Sequence, residues 1–303
     1  RPYAISSGAT HGAWNESAYV FARSGGVWTQ QGAPLTDPDG GPGEMFGNNV
    51  ALYRDTALVS AIYDDSGRGS VVVFTRTGTT WSRQGRLVAS DRAVNDYFGS
   101  SVALYRDTAI VGAVGDDDHG DASGAAYLFS RTGPVWTQAQ KIAPADGAAG
   151  DSFGASASIS GEMAIVGATG DDSGAGAVYI VSRMTGTWLY GRMVATDGDG
   201  SDHYGNAVAV CGGTMIVGSP FDDDVAGNSG AVYLYLTEPP VAMGLERVAG
   251  TNRYLTAVQC SKDAFLAGAA AVVLATGENW PDALGGSALA GAQSMMGSTG
   301  AAP

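Results

Sequence analysis

Four aromatic-glycine pairs, Phe46-Gly47, Phe98-Gly99, Phe153-Gly154 and Tyr204-Gly205, recur at intervals of 52, 55 and 51 residues. A fixed period of this size means one supersecondary unit per repeat. Five further features keep phase with the anchors. An alternating apolar run follows each pair, as in SSVALYRD (100–107) and NAVAVCGG (206–213). Next come the continuous runs TALVSA, TAIVGA, MAIVGA and MIVGS, each leading into an acidic loop: Asp64-Asp65, Asp116-Asp117-Asp118, Asp171-Asp172 and Asp222-Asp223-Asp224. A third run (SVVVFTR, GAAYLFSR, GAVYIVSR, GAVYLYL) and a fourth around Trp81, Trp136 or Trp188 complete the unit.

Each unit therefore reads as a four-stranded antiparallel sheet, because β-branched and aromatic residues fill the runs and short Gly, Asp and Thr turns separate them. The 46 glycines among 303 residues, about twice the ordinary share, supply those turns. Such a sheet cannot bury both faces alone, so the units must stack, and stacking around an axis makes a β-propeller. The expected fold is mainly β: a propeller of four-stranded antiparallel blades, partial or five-bladed, over residues 1–238. At its start, 17–31 reads as a third and fourth strand with none before them; at its end, 203–236 reads as three strands with no Trp strand after. The array is read as a portion of a larger propeller. The alternative is a closed ring in which the Trp28 strand completes the last blade.

Thirty acidic residues against sixteen basic ones give a net charge of −14. That field repels phosphate backbones and anionic lipid, which excludes nucleic acid and membrane surfaces as natural partners. The longest nearly uncharged apolar stretch, 266–276, is too short for a bilayer span of about 20 residues. Cys211 and Cys260 fall in different regions and read as two thiols rather than one bridge.

The anchors, together with Gly112-Ala113, Gly167-Ala168 and Gly218-Ser219-Pro220, make the units resemble FG-GAP repeats, the blades of integrin alpha chains and of many bacterial surface proteins. The resemblance covers residues 1–238 and implies a propeller with a binding role, often adhesive. One departure bears on metal. The family's calcium loop joins the first and second strands, but here that link is a short turn such as Tyr53-Arg54-Asp55-Thr56 or Cys211-Gly212-Gly213-Thr214.

Calcium remains the one cofactor to consider, since about six to eight oxygens in a tight loop can hold it. The best local set is Asp197, Asp199 and Asp202, with Ser201 between them; Asp37, Asp39 and Glu44 form a weaker one. The competing reading is that these acids cap their own turns. His11, His119 and His203 lack zinc-ligand spacing, and there is no nucleophile elbow. The chain is thus read as a non-enzyme, with a hydrolase on the same scaffold as the alternative. Trp28, Trp81, Trp136 and Trp188 sit at equivalent places and are expected to pack between blades rather than to stack sugars.

At Thr237-Glu238-Pro239-Pro240 the pattern stops, and 239–245 reads as a linker. Beyond it, 246–303 reads as a small α/β module with helices at 257–266 and 282–292 around a strand at 271–275. Arg247-Val248-Ala249-Gly250, Asn252-Arg253-Tyr254, Ala275-Thr276-Gly277 and Pro281-Asp282-Ala283-Leu284 resemble the cell-wall-binding repeat of clostridial and other Gram-positive surface proteins. Coverage is partial: that family carries tandem copies. The resemblance implies noncovalent anchoring to an anionic cell-wall polymer, with Arg247 and Arg253 as the residues carried over; the competing reading is that both arginines brace the fold. The expectation is an extracellular, cell-surface or cell-wall protein whose loop face binds a protein or glycan.

Overall fold

A computed structural model describes residues 3–7, 16–184, 187–236 and 244–249. They form a five-blade β-propeller. The first blade holds β1 (Tyr3–Ser7), β2 (Ala18–Ser24) and β3 (Val27–Gln30). The second holds β4 (Phe46–Tyr53), β5 (Thr56–Ala61), β6 (Ser70–Thr77) and β7 (Thr80–Leu87). The third runs through β8 (Phe98–Tyr105), β9 (Thr108–Ala113), β10 (Ala125–Thr132) and β11 (Val135–Ile142). The fourth is β12 (Phe153–Ser160), β13 (Met163–Ala168), β14 (Ala177–Met184) and β15 (Thr187–Met193). The fifth is β16 (Ala207–Cys211), β17 (Thr214–Ser219), β18 (Ala231–Leu236) and β19 (Gly244–Ala249). All pairings within blades are antiparallel between neighbours.

Burial explains why the runs differ. The second strands β5, β9 and β13 are covered by neighbouring blades on both faces, so β5 is buried at every residue and reads as an unbroken apolar run. The outer strands β7 and β11 are exposed or half-buried along most of their length, and β11 alternates over its first six residues. Four apolar clusters fill the spaces between successive blades.

The recurring glycines sit where blades touch backbone to backbone. A Cβ on Gly112 would lie 2.0 Å from the carbonyl oxygen of Gly154 in the next blade's anchor, and one on Gly167 would lie 2.1 Å from that of Gly205. Ser101 and Ser156 donate to the same two carbonyls at 2.7 Å. The aromatic-Gly and Gly-Ala motifs are thus two halves of one inter-blade contact.

Both ends of the array differ from expectation. Tyr3–Ser7 pairs with β2 in the second-strand position, although no anchor in the sequence announces it. The last blade has its own fourth strand, β19, paired with β18, and β3 stays on the first blade beside β2, so the Trp28 strand does not complete the last sheet. β19 lacks a tryptophan, but Arg247-Val248 repeats the strand-end pairs Arg86-Leu87 and Arg192-Met193. In register, Arg247 stands opposite Tyr233 as Lys141 stands opposite Tyr127 and Arg192 opposite Tyr179. The helices and strand expected within 257–292, with Cys260 and Arg253, lie outside the described residues.

Candidate functional site: the acidic loop rim

The loops between second and third strands share one rim with the loops that lead into each blade. In the second to fifth blades each second-to-third loop buries one carboxylate: Asp64, Asp116, Asp171 and Asp222 are 7%, 4%, 6% and 1% exposed. A buried carboxylate needs a partner, and the blade supplies it from its own outer strand. In the second blade Arg86 bridges Asp64 and Asp37. In the third, the Lys141 ammonium lies 2.8 Å from Asp91, 2.7 Å from Asp116 and 2.7 Å from Asp118. In the fourth, Arg192 donates to both oxygens of Asp171 and to Asp172.

A tyrosine on the third strand joins the same network. The Tyr127 hydroxyl faces Asp91 at 3.0 Å and Asp116 at 2.8 Å; the Tyr233 hydroxyl faces Asp197 and Asp222, each at 2.9 Å. Burial and the nearby Asp116 push the Tyr127 phenol well above its ordinary range. Burial alone would lower Lys141, but its bonds to three carboxylates outweigh that and raise it. Burial pushes Asp91 up, and bonds from Lys141 and Tyr127 more than reverse it, leaving the carboxyl below its usual value.

Among the described residues, Asp91, Asp116 and Asp118 are the set whose oxygens converge as metal ligands do. The place a cation would occupy holds the Lys141 ammonium. The set read from the sequence is arranged differently. Asp202 is buried and its Oδ2 accepts the backbone N–H of Asp199 at 2.7 Å, while Asp197 accepts from Tyr233. Asp151 closes the same turn on Ala148 at 2.7 Å, and Asp96 closes it on Ala93. Desolvation raises all three of these turn carboxyls.

Other residues singled out by sequence are dispersed. His203 stacks edge-on against Phe221 with ring centroids 5.1 Å apart, and His119 lies in the third-blade loop. His11 lies outside the described residues. Trp81, Trp136 and Trp188 pack in the inter-blade clusters, whereas Trp28 is 44% exposed. Cys211 is half-buried beside Ser160, and burial pushes its thiol up. A depression of about 380 Å³ between the first two blades is lined by Glu16, Asp37 and Glu44. Glu16 accepts backbone N–H groups of Gly43 and Phe46 at 2.9 and 3.0 Å, and Asp37 is held by Arg86.

The phased cations Arg86, Lys141 and Arg192 were the signal for this network, since they recur at intervals of 55 and 51 residues. The model of the FG-GAP repeat matches residues 28–74, 81–129, 136–181 and 190–235. The chain belongs to the FG-GAP repeat family. Each FG-GAP match starts on an outer strand and ends in the third strand of the following blade, so the family's repeat is offset by one strand from the sheet. The model of cell wall binding domain 2 (CWB2) matches residues 247–296 and starts within β19. No curated protein matches the chain. Both families are of the binding type and go with a cell-surface or cell-wall protein. Among the described residues no helix is long and apolar enough to cross a membrane.

Proposed function

We propose that the chain is a wall-associated binding protein: the propeller, residues 1–238, takes an extracellular protein or glycan through its loops, and the C-terminal repeat, 246–303, holds it to the cell-wall polymer. The observation that carries this reading is the CWB2 match directly after the last FG-GAP repeat. Arg253 and Arg247 are the proposed contacts to the anionic polymer, and β19 brings the start of that repeat onto the propeller. The rim supports binding over catalysis: its buried carboxylates are bonded to Arg86, Lys141, Arg192 or tyrosine hydroxyls or, for Asp96, Asp151 and Asp202, to a backbone N–H of their own turn, and a general acid or base needs a group free to exchange its proton. Calcium, if it binds near Asp197, Asp199 and Asp202, has a marginal structural role.

The test is an array of glycans probed with the full chain, with release of reducing ends measured on any that bind. Capture without turnover is the expected result. Hydrolysis of a captured polysaccharide would instead establish the hydrolase reading.

A further inference from the structure

The two ends of the blades are chemically unlike. Opposite the acidic rim lie the turns between first and second strands, and there arginine dominates. Asp55 is paired by Arg76, Asp107 by Arg131 at 2.7 Å, and Glu162 by Arg183 at 3.9 Å. Each of these turn carboxylates therefore has an arginine from its own third strand, and Arg54 and Arg106 come in addition. Both are exposed, and among the described residues neither lies within ion-pair distance of a carboxylate.

These two arginines are organised by aromatic rings. The Arg54 guanidinium lies 5.4 Å from the centroid of Tyr53, and that of Arg106 lies 5.4 Å from Tyr105. The two rings belong to adjacent inner strands and approach to 5.2 Å at an interplanar angle of 54°. Tyr53, and after it Tyr105, raise the pKa of the Arg106 guanidinium beside them. The corresponding turns of the next two blades are Ser160-Gly161-Glu162, whose glutamate faces Arg183, and Cys211-Gly212-Gly213, and neither carries an arginine. The result is a tyrosine-guanidinium platform on the second and third blades.

A guanidinium stacked on a ring keeps its N–H edge free for a carboxylate or phosphate, and it does so pre-organised. Tyrosine faces beside it suit the apolar face of a sugar ring. In a chain of net charge −14, a patch with unpaired guanidinium is a local inversion of the field that a polyanion would meet favourably. We infer that Tyr53, Arg54, Tyr105 and Arg106 form a binding surface for an anionic polysaccharide, on the face opposite the acidic loops. This rests on the wall-associated reading above for the source of such a polymer.

The test uses the full chain and its Arg54→Gln/Arg106→Gln variant, with polygalacturonate, polyphosphate and neutral dextran as probes. An Arg68→Gln/Arg92→Gln variant on the acidic rim removes the same charge elsewhere. The expected result is salt-sensitive binding of a charged probe that falls at least about tenfold in the first variant and by less than about twofold in the second, with unfolding midpoints of the two variants alike. Loss on polygalacturonate alone marks a carboxylate ligand, and loss on polyphosphate alone a phosphate one. Absence of binding by the parent chain, equal binding by parent and first variant, or equal loss in both variants, overturns the inference. Sedimentation of the same proteins with purified walls separates the two readings: a chain that ignores walls yet binds polyanions through this platform leaves the inference standing and removes the anchor.

Discussion

Lys141 does inside the third blade what a bound cation does in many acidic loops. Replacing it by Met leaves Asp116 buried beside Asp91 and Asp118 with no countercharge, which costs about 3 kcal/mol or more. Thermal unfolding of Lys141→Met in calcium and in chelator gives a signed expectation. The parent midpoint is nearly the same in both, because the ammonium fills the site; the variant is much less stable in chelator and partly restored by calcium, which three converging carboxylates then attract. A parent that loses substantial stability in chelator would contradict the internal-cation account. The pH dependence has its sign from Asp91. Its folded carboxyl is lowered from 3.8, so its stabilisation is fully present above that value and is lost as pH falls below it. Asp96, Asp151 and Asp202 are raised, so stability rises as pH falls through their raised values toward 3.8, before the loss at Asp91 begins.

At the scale of elements, the glycine motif makes the sharpest comparison. Gly112 faces the carbonyl of Gly154 with no room for a methyl group, while the equivalent Gly218 in the last blade has Ala207 Cβ as its nearest neighbour at 3.6 Å. Gly112→Ala is expected to cost several kcal/mol, of the order of overpacking or more, and Gly218→Ala to stay within about 0.5 kcal/mol; urea unfolding of both decides it. Equal effects would mean that the motif is not a contact between blades. The interior strands and their loops were legible in the sequence because the repeats keep phase. The terminal elements were not: β1 follows no aromatic-Gly anchor, and β19 has no tryptophan. The cation network was hidden for a different reason. Lys141 and Asp116 are 25 residues apart, and only the pairing of outer strand with third strand brings them together. Likewise, spacing put Asp197, Asp199 and Asp202 in one loop, but strand geometry turned Asp202 onto its own backbone and Asp197 toward Tyr233.

For the whole molecule, charge and sequence order point the same way. Residues 1–245 hold 26 acidic and 13 basic residues, while 246–303 hold 4 and 3, so a polyanionic wall repels most of the propeller, and the C-terminal repeat and the Arg54/Arg106 face are two separate places that offset this. Association should therefore weaken as salt screens these contacts, over a Debye length of about 8 Å at physiological ionic strength. The most direct measurement is co-sedimentation of the full chain with purified Gram-positive cell walls across a salt series, beside walls stripped of their anionic polymer. The account predicts retention on intact walls, release as salt rises, and little retention on stripped walls. A chain that stays in the supernatant with intact walls at low salt, or that binds stripped walls equally well, would contradict it.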